Sequence, residues 1–223
     1  MSSNSAGARI RRASPLALAA LCALAAAPAV AQVVSEGKAT LTLQGGLGYA
    51  PVGGIADQVV GLPGSGGTRH ATAFRLMAGY QFAEQLSFDV GVAHVGTMSS
   101  SAPYNGTDVL GADVTLSVLE ADLVGHIPVT PNSRVDLTAG IAESSLHTLV
   151  STQQGSLLPP GESGDDNVRR LGPTLGADLE WRLGDVVSVM AGCHVYTRVG
   201  SPKLADSASG TVKLLLVGIH LEF

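Results

Sequence analysis

Several residues in this chain are of types that do chemistry. Ser144, Ser145 and His147 place two hydroxyls beside an imidazole, and His70 offers a second imidazole. Hydrolysis needs a nucleophile within hydrogen-bond reach of a base, and a third group to orient that base. These residues form no compact His-x-Ser pattern. A serine, a histidine and a carboxylate lie near one another in any chain rich in polar loops. His194 and His220 suggest a shared metal ion. If the last two segments pair through a turn near Ala205, His194 stands opposite about Leu216. His220 is then ~13 Å further along, at ~3.3 Å per residue, which is too far for one ion. Asp165 and Asp166 are of the type that meets calcium, but they read as a solvated acidic loop. Cys193 falls among Val189, Ala191 and Val195 and reads as a small apolar residue. The sequence thus assigns no catalytic, cofactor-binding or metal-ligating residue, no cofactor and no enzymatic activity.

What remains is electrostatic. Arg75, Asp89, Glu120, Asp122, Arg134, Asp136, Asp178, Glu180, Arg182 and Glu222 each fall on the polar side of an alternating stretch. Eight such stretches, of period two rather than helical period, run over 39–50, 70–82, 86–98, 109–127, 134–150, 168–183, 187–200 and 210–223. In the last, Leu215, Val217, Ile219, Leu221 and Phe223 share one face, and Gly218, His220 and Glu222 the other. In the sixth, Leu171, Leu175, Ala177, Leu179, Trp181 and Leu183 oppose Thr174, Gly176, Asp178, Glu180 and Arg182. Each stretch is long enough to cross a hydrocarbon core as a tilted strand of about 9–11 residues.

The connections alternate in length. Those at 83–85, 128–133 and 184–186 are short. Those at 51–69, 99–108, 151–167 and 201–209 are longer and rich in Gly, Ser, Pro and Asp. Short turns at one end and long loops at the other are the pattern of outer-membrane barrels. The predicted fold is all-β, an eight-stranded antiparallel up-and-down transmembrane β-barrel. Its lipid face is apolar, and its inward charges pair in a narrow lumen. Arg134 is expected near Asp122. A soluble calyx would reverse the two faces. A small-solute pore would leave the lumen open.

Charged residues make up 14% of the 223 positions, against about 25% in ordinary globules. The one long apolar run lies at the start, from Pro15 to Ala27, behind Arg9, Arg11 and Arg12. With Ala29 and Ala31 at a small-residue cleavage site, this reads as a secretory signal peptide over 1–31. The barrel domain is then 32–223. Leu21 before Cys22 does not fit lipoprotein processing. The mature chain holds 10 basic and 18 acidic residues, so a nucleic-acid partner is excluded. With Cys193 alone remaining, so is an internal disulfide. Of the aromatics, Tyr80, Phe82, Phe88, Trp181 and Phe223 sit at the short-turn ends, where amphipathic rings favour the headgroup level. Tyr49 and Phe74 stand towards the other end.

With its last strand VKLLLVGIHLEF, and with AGYQF and GPTLGADLEWRL before it, the chain resembles the eight-stranded barrel of the outer membrane protein A superfamily. The resemblance covers about residues 38 to 223. It implies a bacterial outer-membrane location with both termini periplasmic. Phe223, Leu221 and Ile219 would then form an assembly signal read by the barrel-assembly machinery. Outer-membrane lipid and lipopolysaccharide are the surroundings it implies, and a monomer is expected. The function so implied is structural, or lies in surface contacts of the long loops. Some related barrels act on lipid A through a serine and a histidine, which is the enzymatic alternative. No peptidoglycan-binding domain is expected after the barrel, so the resemblance is not taken to imply wall anchoring.

Overall fold

A computed structural model describes residues 37–49, 66–67, 70–104, 108–152, 165–199 and 210–223. The expected leader, with Ala29 and Ala31, lies outside these residues. The strands are β1 (Lys38–Tyr49), β2 (Gly66–Gly67), β3 (His70–Ala83), β4 (Leu86–Tyr104), β5 (Asp108–Thr130), β6 (Ser133–Thr152), β7 (Asp165–Arg182), β8 (Val187–Val199) and β9 (Gly210–Glu222). All eight segments read from the sequence are strands. Each long strand pairs antiparallel with its neighbour in sequence, and β9 returns to pair with β1. Among the described residues no long strand is left with an open edge, as a sheet in hydrocarbon requires. The two-residue β2 adds to the outer end of β4.

The short connections are fixed locally. Gln81 donates its side-chain amide to the Glu84 carbonyl at 2.9 Å, and Thr130 and Ser133 join hydroxyls at 2.7 Å. At the other end, strand pairing goes further than expected. The region 99–108 is not a long loop: Ser99 to Tyr104 pair with Asp108 to Asp113. A run of serines and a proline reads as loop by composition, yet its backbone continues the ladder. Asp165 and Asp166 likewise lie in β7, opposite Leu149 and Thr148, not in an acidic loop.

The faces follow the alternation. Leu171 is 64% exposed and Leu215 65% exposed on the outside, among a continuous band of leucine, valine and isoleucine. Cys193 belongs to this outer face. The inward residues divide into two levels. Towards the short turns they are mostly polar or charged. Towards the long-loop end they are Ala93, Val95, Val114, Leu116, Val118, Leu146, Val212, Leu214 and Leu216, a packed apolar cluster. The expectation of a polar lumen therefore holds for only half its length. Leu214 and Leu216 share the parity of His220 and Glu222, and they are fully buried inside the barrel.

Candidate functional site

The polar half of the lumen is built in two layers. In the first, Arg75 of β3 reaches over the intervening strand β4 to β5. Its Nε donates to Glu120 at 2.9 Å, and its Nη2 to Asp122 at 2.8 Å. Nη1 donates to the side-chain oxygen of Gln44 at 3.3 Å. Gln44 in turn donates to Asp178 at 2.7 Å, and the Tyr196 hydroxyl donates to Glu120 at 3.1 Å. His194 Nε2 stands 3.0 Å from Asp178. These groups come from β1, β3, β5, β7 and β8. They meet because the barrel is narrow enough for side chains to span it.

Glycine makes the room. Asp122 faces Gly140 on β6, and Asp178 faces Gly192 on β8. A Cβ at either glycine would run into the facing carboxylate. The pattern GADLEWRL on β7 thus pairs a large acid with an absent side chain next door, and these inward glycines act as sockets.

The second layer, nearer the short turns, centres on Arg134. Its guanidinium reaches Glu180 at 2.8 Å, Glu222 at 2.7 Å and Asp136 at 3.2 Å. His126 Nδ1 lies 2.7 Å from Asp136. His220 is held by Thr42 through Nδ1 at 2.8 Å and faces Arg134 through Nε2 at 3.3 Å. Ligand-type atoms of Glu180, His220 and Glu222 lie within 4.8 Å of one another, a spacing suited to a metal ion. The Arg134 guanidinium takes the place a cation would fill. A cavity of about 380 Å³ opens beside it at the short-turn end, lined among others by Lys38, His126, Arg134 and Arg182.

Of the ten expected lumen residues, Arg75, Asp89, Glu120, Asp122, Asp136, Asp178, Glu180 and Glu222 are buried, and Arg134 is nearly so. Asp89 accepts a hydrogen bond from Ser87 at 3.2 Å. Arg182 is corrected to the rim, half exposed and 3.9 Å from Glu222. Arg134 is not beside Asp122. Asp122 faces Gly140, while Arg134 faces Pro128, so the two are about 20 Å apart along the strands. His194 faces Leu214 rather than about Leu216, and a bulge in β8 between Tyr196 and Val199 accounts for one residue of that offset.

The sequence reading missed Gln44, His126, Tyr196 and the packing role of His194 and His220. Parity alone would have found them, since each alternates with residues that face outward. Three buried histidines each lie against a carboxylate: Asp136, Asp178 and Glu222. They supply partners that two arginines cannot. The hydrolytic alternative fares differently. Ser144 faces the lumen and donates to the Arg170 carbonyl, and Ser145 donates to Asn167. His147 is exposed on the outer face, the face of Ser145, whereas Ser144 lies on the opposite face of β6.

No family model matches the chain. No curated protein matches it by sequence. Among solved structures it is similar to Neisserial surface protein A, at 12% identity over 85% of this chain and 100% of that one, with a TM-score of 0.54. It is also similar to Ail of Yersinia pestis, crystallised with the heparin analogue sucrose octasulfate, at 12% identity over 84% and 99% with a TM-score of 0.49. OprG of Pseudomonas aeruginosa follows at 12% identity over 86% and 98%, also at 0.49. Closure through β1 and β9, up-and-down order and the likeness to Neisserial surface protein A agree: this chain has the fold of the eight-stranded outer-membrane β-barrels.

Proposed function

We propose that this protein is a sealed, non-enzymatic barrel of the bacterial outer membrane, with both termini in the periplasm. Its work is structural, or is done by the segments at the long-loop end. The observation that carries this reading is the filling of the lumen. Hydrocarbon packs one half and a cross-linked charge network the other, with Leu116, Leu214, Leu216 and Val118 fully buried. Water and solutes need a continuous polar path, and the apolar half interrupts it. The barrel is expected to work as a monomer among outer-membrane lipid and lipopolysaccharide. The barrel-assembly machinery would read Ile219, Leu221 and Phe223.

Planar-bilayer recording tests the seal. The purified barrel should show no stepwise conductance, and regular steps would replace this reading with that of a pore. Surface proteolysis of intact cells tests the topology: cuts should fall between 50 and 65, 153 and 164, or 200 and 209, and the termini should be spared. Lipid A mass spectra from cells with and without the protein should be identical if it does no lipid A chemistry. N-terminal sequencing of the outer-membrane form should begin at Gln32.

A further inference from the structure

Of the six described arginines, Arg75, Arg134, Arg169 and Arg182 each meet a carboxylate, while Arg170 and Arg198 form no ion pair among the described residues. These two lie together at the outer end of the lumen. Residues of β7 alternate between outside and inside, so Arg170, which is partly buried, shares the lumen parity of the buried Gly172 and Thr174. β8 comes to meet it. Beyond Tyr196 the strand bulges, and Arg198 takes φ 58°, the one positive value at a non-glycine among the described residues. The chain is thereby carried across the inner side of Gly172. A Cβ at that glycine would run into the Thr197 carbonyl and lie 3.1 Å from the Cβ of Arg198. The Thr197 hydroxyl donates to the Pro173 carbonyl at 3.2 Å and fixes the crossing. Arg170 is the next lumen-parity position on β7, ~6.6 Å outward of Gly172. The two long side chains therefore start close to one another.

Their surroundings offer no counter-charge. Opposite Arg170 stands Ser144, which is buried and donates to the Arg170 carbonyl. Leu146, Tyr196 and Val199 belong to the packed apolar cluster. Glu143 is on the outer face, where it meets Arg169. The next carboxylate of lumen parity along β7 is Asp166, ~13 Å beyond Arg170. Like charges side by side repel, and a positive φ is costly for a residue with a long side chain. Both costs fall at one spot, and an anion shared by the two guanidiniums offsets both. The planar guanidinium fork matches the oxygens of a phosphate or sulfate group.

We propose that Arg170 and Arg198 form an oxyanion site at the outer mouth of the lumen, one that takes a phosphate or sulfate group. The site goes beyond the sealed-barrel reading and rests on it at one point only, that the long-loop end faces outward. The apolar cluster beneath is its floor, so the group enters at the mouth and goes no further. The bulge in β8 then has a purpose: it brings a second guanidinium onto the inner side of β7.

Calorimetric titration of the refolded barrel in neutral-detergent micelles with inorganic phosphate tests the site. One phosphate per barrel is expected, and sodium chloride at the same ionic strength should give no saturable heat. Arg170→Gln and Arg198→Gln should each weaken binding about tenfold or more, as the loss of a hydrogen bond to a charged group implies. Arg169→Gln, on the outer face, should leave binding intact. Arg198→Gly separates an anion site from a structural role. Glycine accepts φ 58° without strain, so this variant should lose binding and yet, without phosphate, unfold at no lower urea concentration than the native barrel. A marked loss of stability in Arg198→Gly would mean that Arg198 holds the fold and not an anion. Glucose 6-phosphate, titrated in parallel, identifies the source. Tighter binding than inorganic phosphate supports a group carried on a larger molecule, and equal binding supports the free ion. No saturable binding of either overturns the proposal, as does an equal loss in Arg169→Gln. The titration does not depend on which way the barrel points. Binding in detergent, with protease cuts made only from the periplasmic side, would keep the site and sink the topology beneath it. Surface cuts as expected, with no binding, sink the site alone.

Discussion

The two halves of the lumen solve one problem by opposite means. Both must fill the inside of a narrow barrel. Towards the short turns the filling is Arg75, Arg134, seven buried carboxylates and three histidines. Towards the long-loop end it is alanine, valine and leucine, with Tyr196 reaching from that level to donate to Glu120. The two materials fail differently. Truncating a packed apolar side chain forfeits its transfer free energy and leaves a cavity. A buried charge deprived of its partner keeps its desolvation penalty and has nothing to offset it. The polar half should therefore be the more fragile to single changes.

The largest effect is expected at Arg75. Replacing it by Met keeps the bulk and removes the charge, leaving Glu120 and Asp122 facing each other without a cation. A loss of about 5 kcal/mol is expected, the upper end for an orphaned buried pair. Urea unfolding in lipid vesicles reads it. If charge is what sets the halves apart, adding Glu120→Gln and Asp122→Asn to Arg75→Met should restore most of the loss. A triple variant no better than Arg75→Met would mean that shape, not charge, holds this half together.

The next effect belongs to the apolar half. Leu214→Ala and Leu116→Ala should each cost about 3 kcal/mol. No second substitution should rescue them except one that refills the space. Both are fully buried, so a cost below that of an exposed leucine would show that the apolar half is loosely filled. Leu216→Gln sharpens the contrast. It places an amide opposite Gly192, over which the Asp178 carboxylate lies, and a cost no greater than that of Leu216→Ala would show that the network can extend to answer it.

The outside of this barrel is easy to read from its sequence and the inside is hard. A lipid-facing strand repeats apolar residues without interruption, so Leu171 to Trp181 on β7 and Leu215 to Leu221 on β9 declare themselves. Lumen residues have no such uniformity. Small, acidic and aliphatic side chains all serve, depending on depth, and Leu214 and Leu216 resemble their lipid-facing neighbours in everything but parity. Partner choice is harder still. Arg75 meets Glu120 and Asp122 over the intervening strand β4 rather than along a hairpin, and no local spacing encodes a contact that skips a strand. The bulge between Tyr196 and Val199 shifts parity and register with no glycine or proline to mark it. Pairing counted back from Val199 and Gly210 without it would put His194 one residue out of register.

A smaller effect is expected on the outer face. Ile219→Arg or Leu179→Arg should cost about 2–3 kcal/mol if these side chains lie near the bilayer midplane. The same unfolding titration reads it. A fluorophore on the native Cys193, which shares that face, should be quenched by brominated acyl chains. Gly176 gives the inward contrast, because a Cβ there would run into the His194 ring. Gly176→Ala should therefore disturb the network, whereas Cys193→Ala should change stability little. Equal costs at the two positions would show that the faces are not distinct.

The smallest effect on the finished barrel is expected at Phe223. Its ring is more than half exposed on the apolar face, and its backbone nitrogen donates to the Ala39 carbonyl at 2.9 Å, the last bond joining the end of β9 to β1. Removing the residue takes away one terminal hydrogen bond and an exposed ring. Each is worth about 1 kcal/mol or less. The charge network is untouched, since Glu222 keeps its contacts with Arg134 and Lys38. The truncated chain should therefore refold into detergent and give the native difference in gel mobility between unheated and boiled samples. In cells the outcome should differ if Phe223, with Leu221 and Ile219, is what the assembly machinery reads: folded barrel should be scarce while the chain is still made. Normal cellular yield without Phe223 would refute the assembly signal and leave the ring a passive end of the lipid face. Failure to refold in detergent would assign Phe223 to closure of the sheet itself, and would mean that the last bond between β9 and β1 matters more than its size suggests.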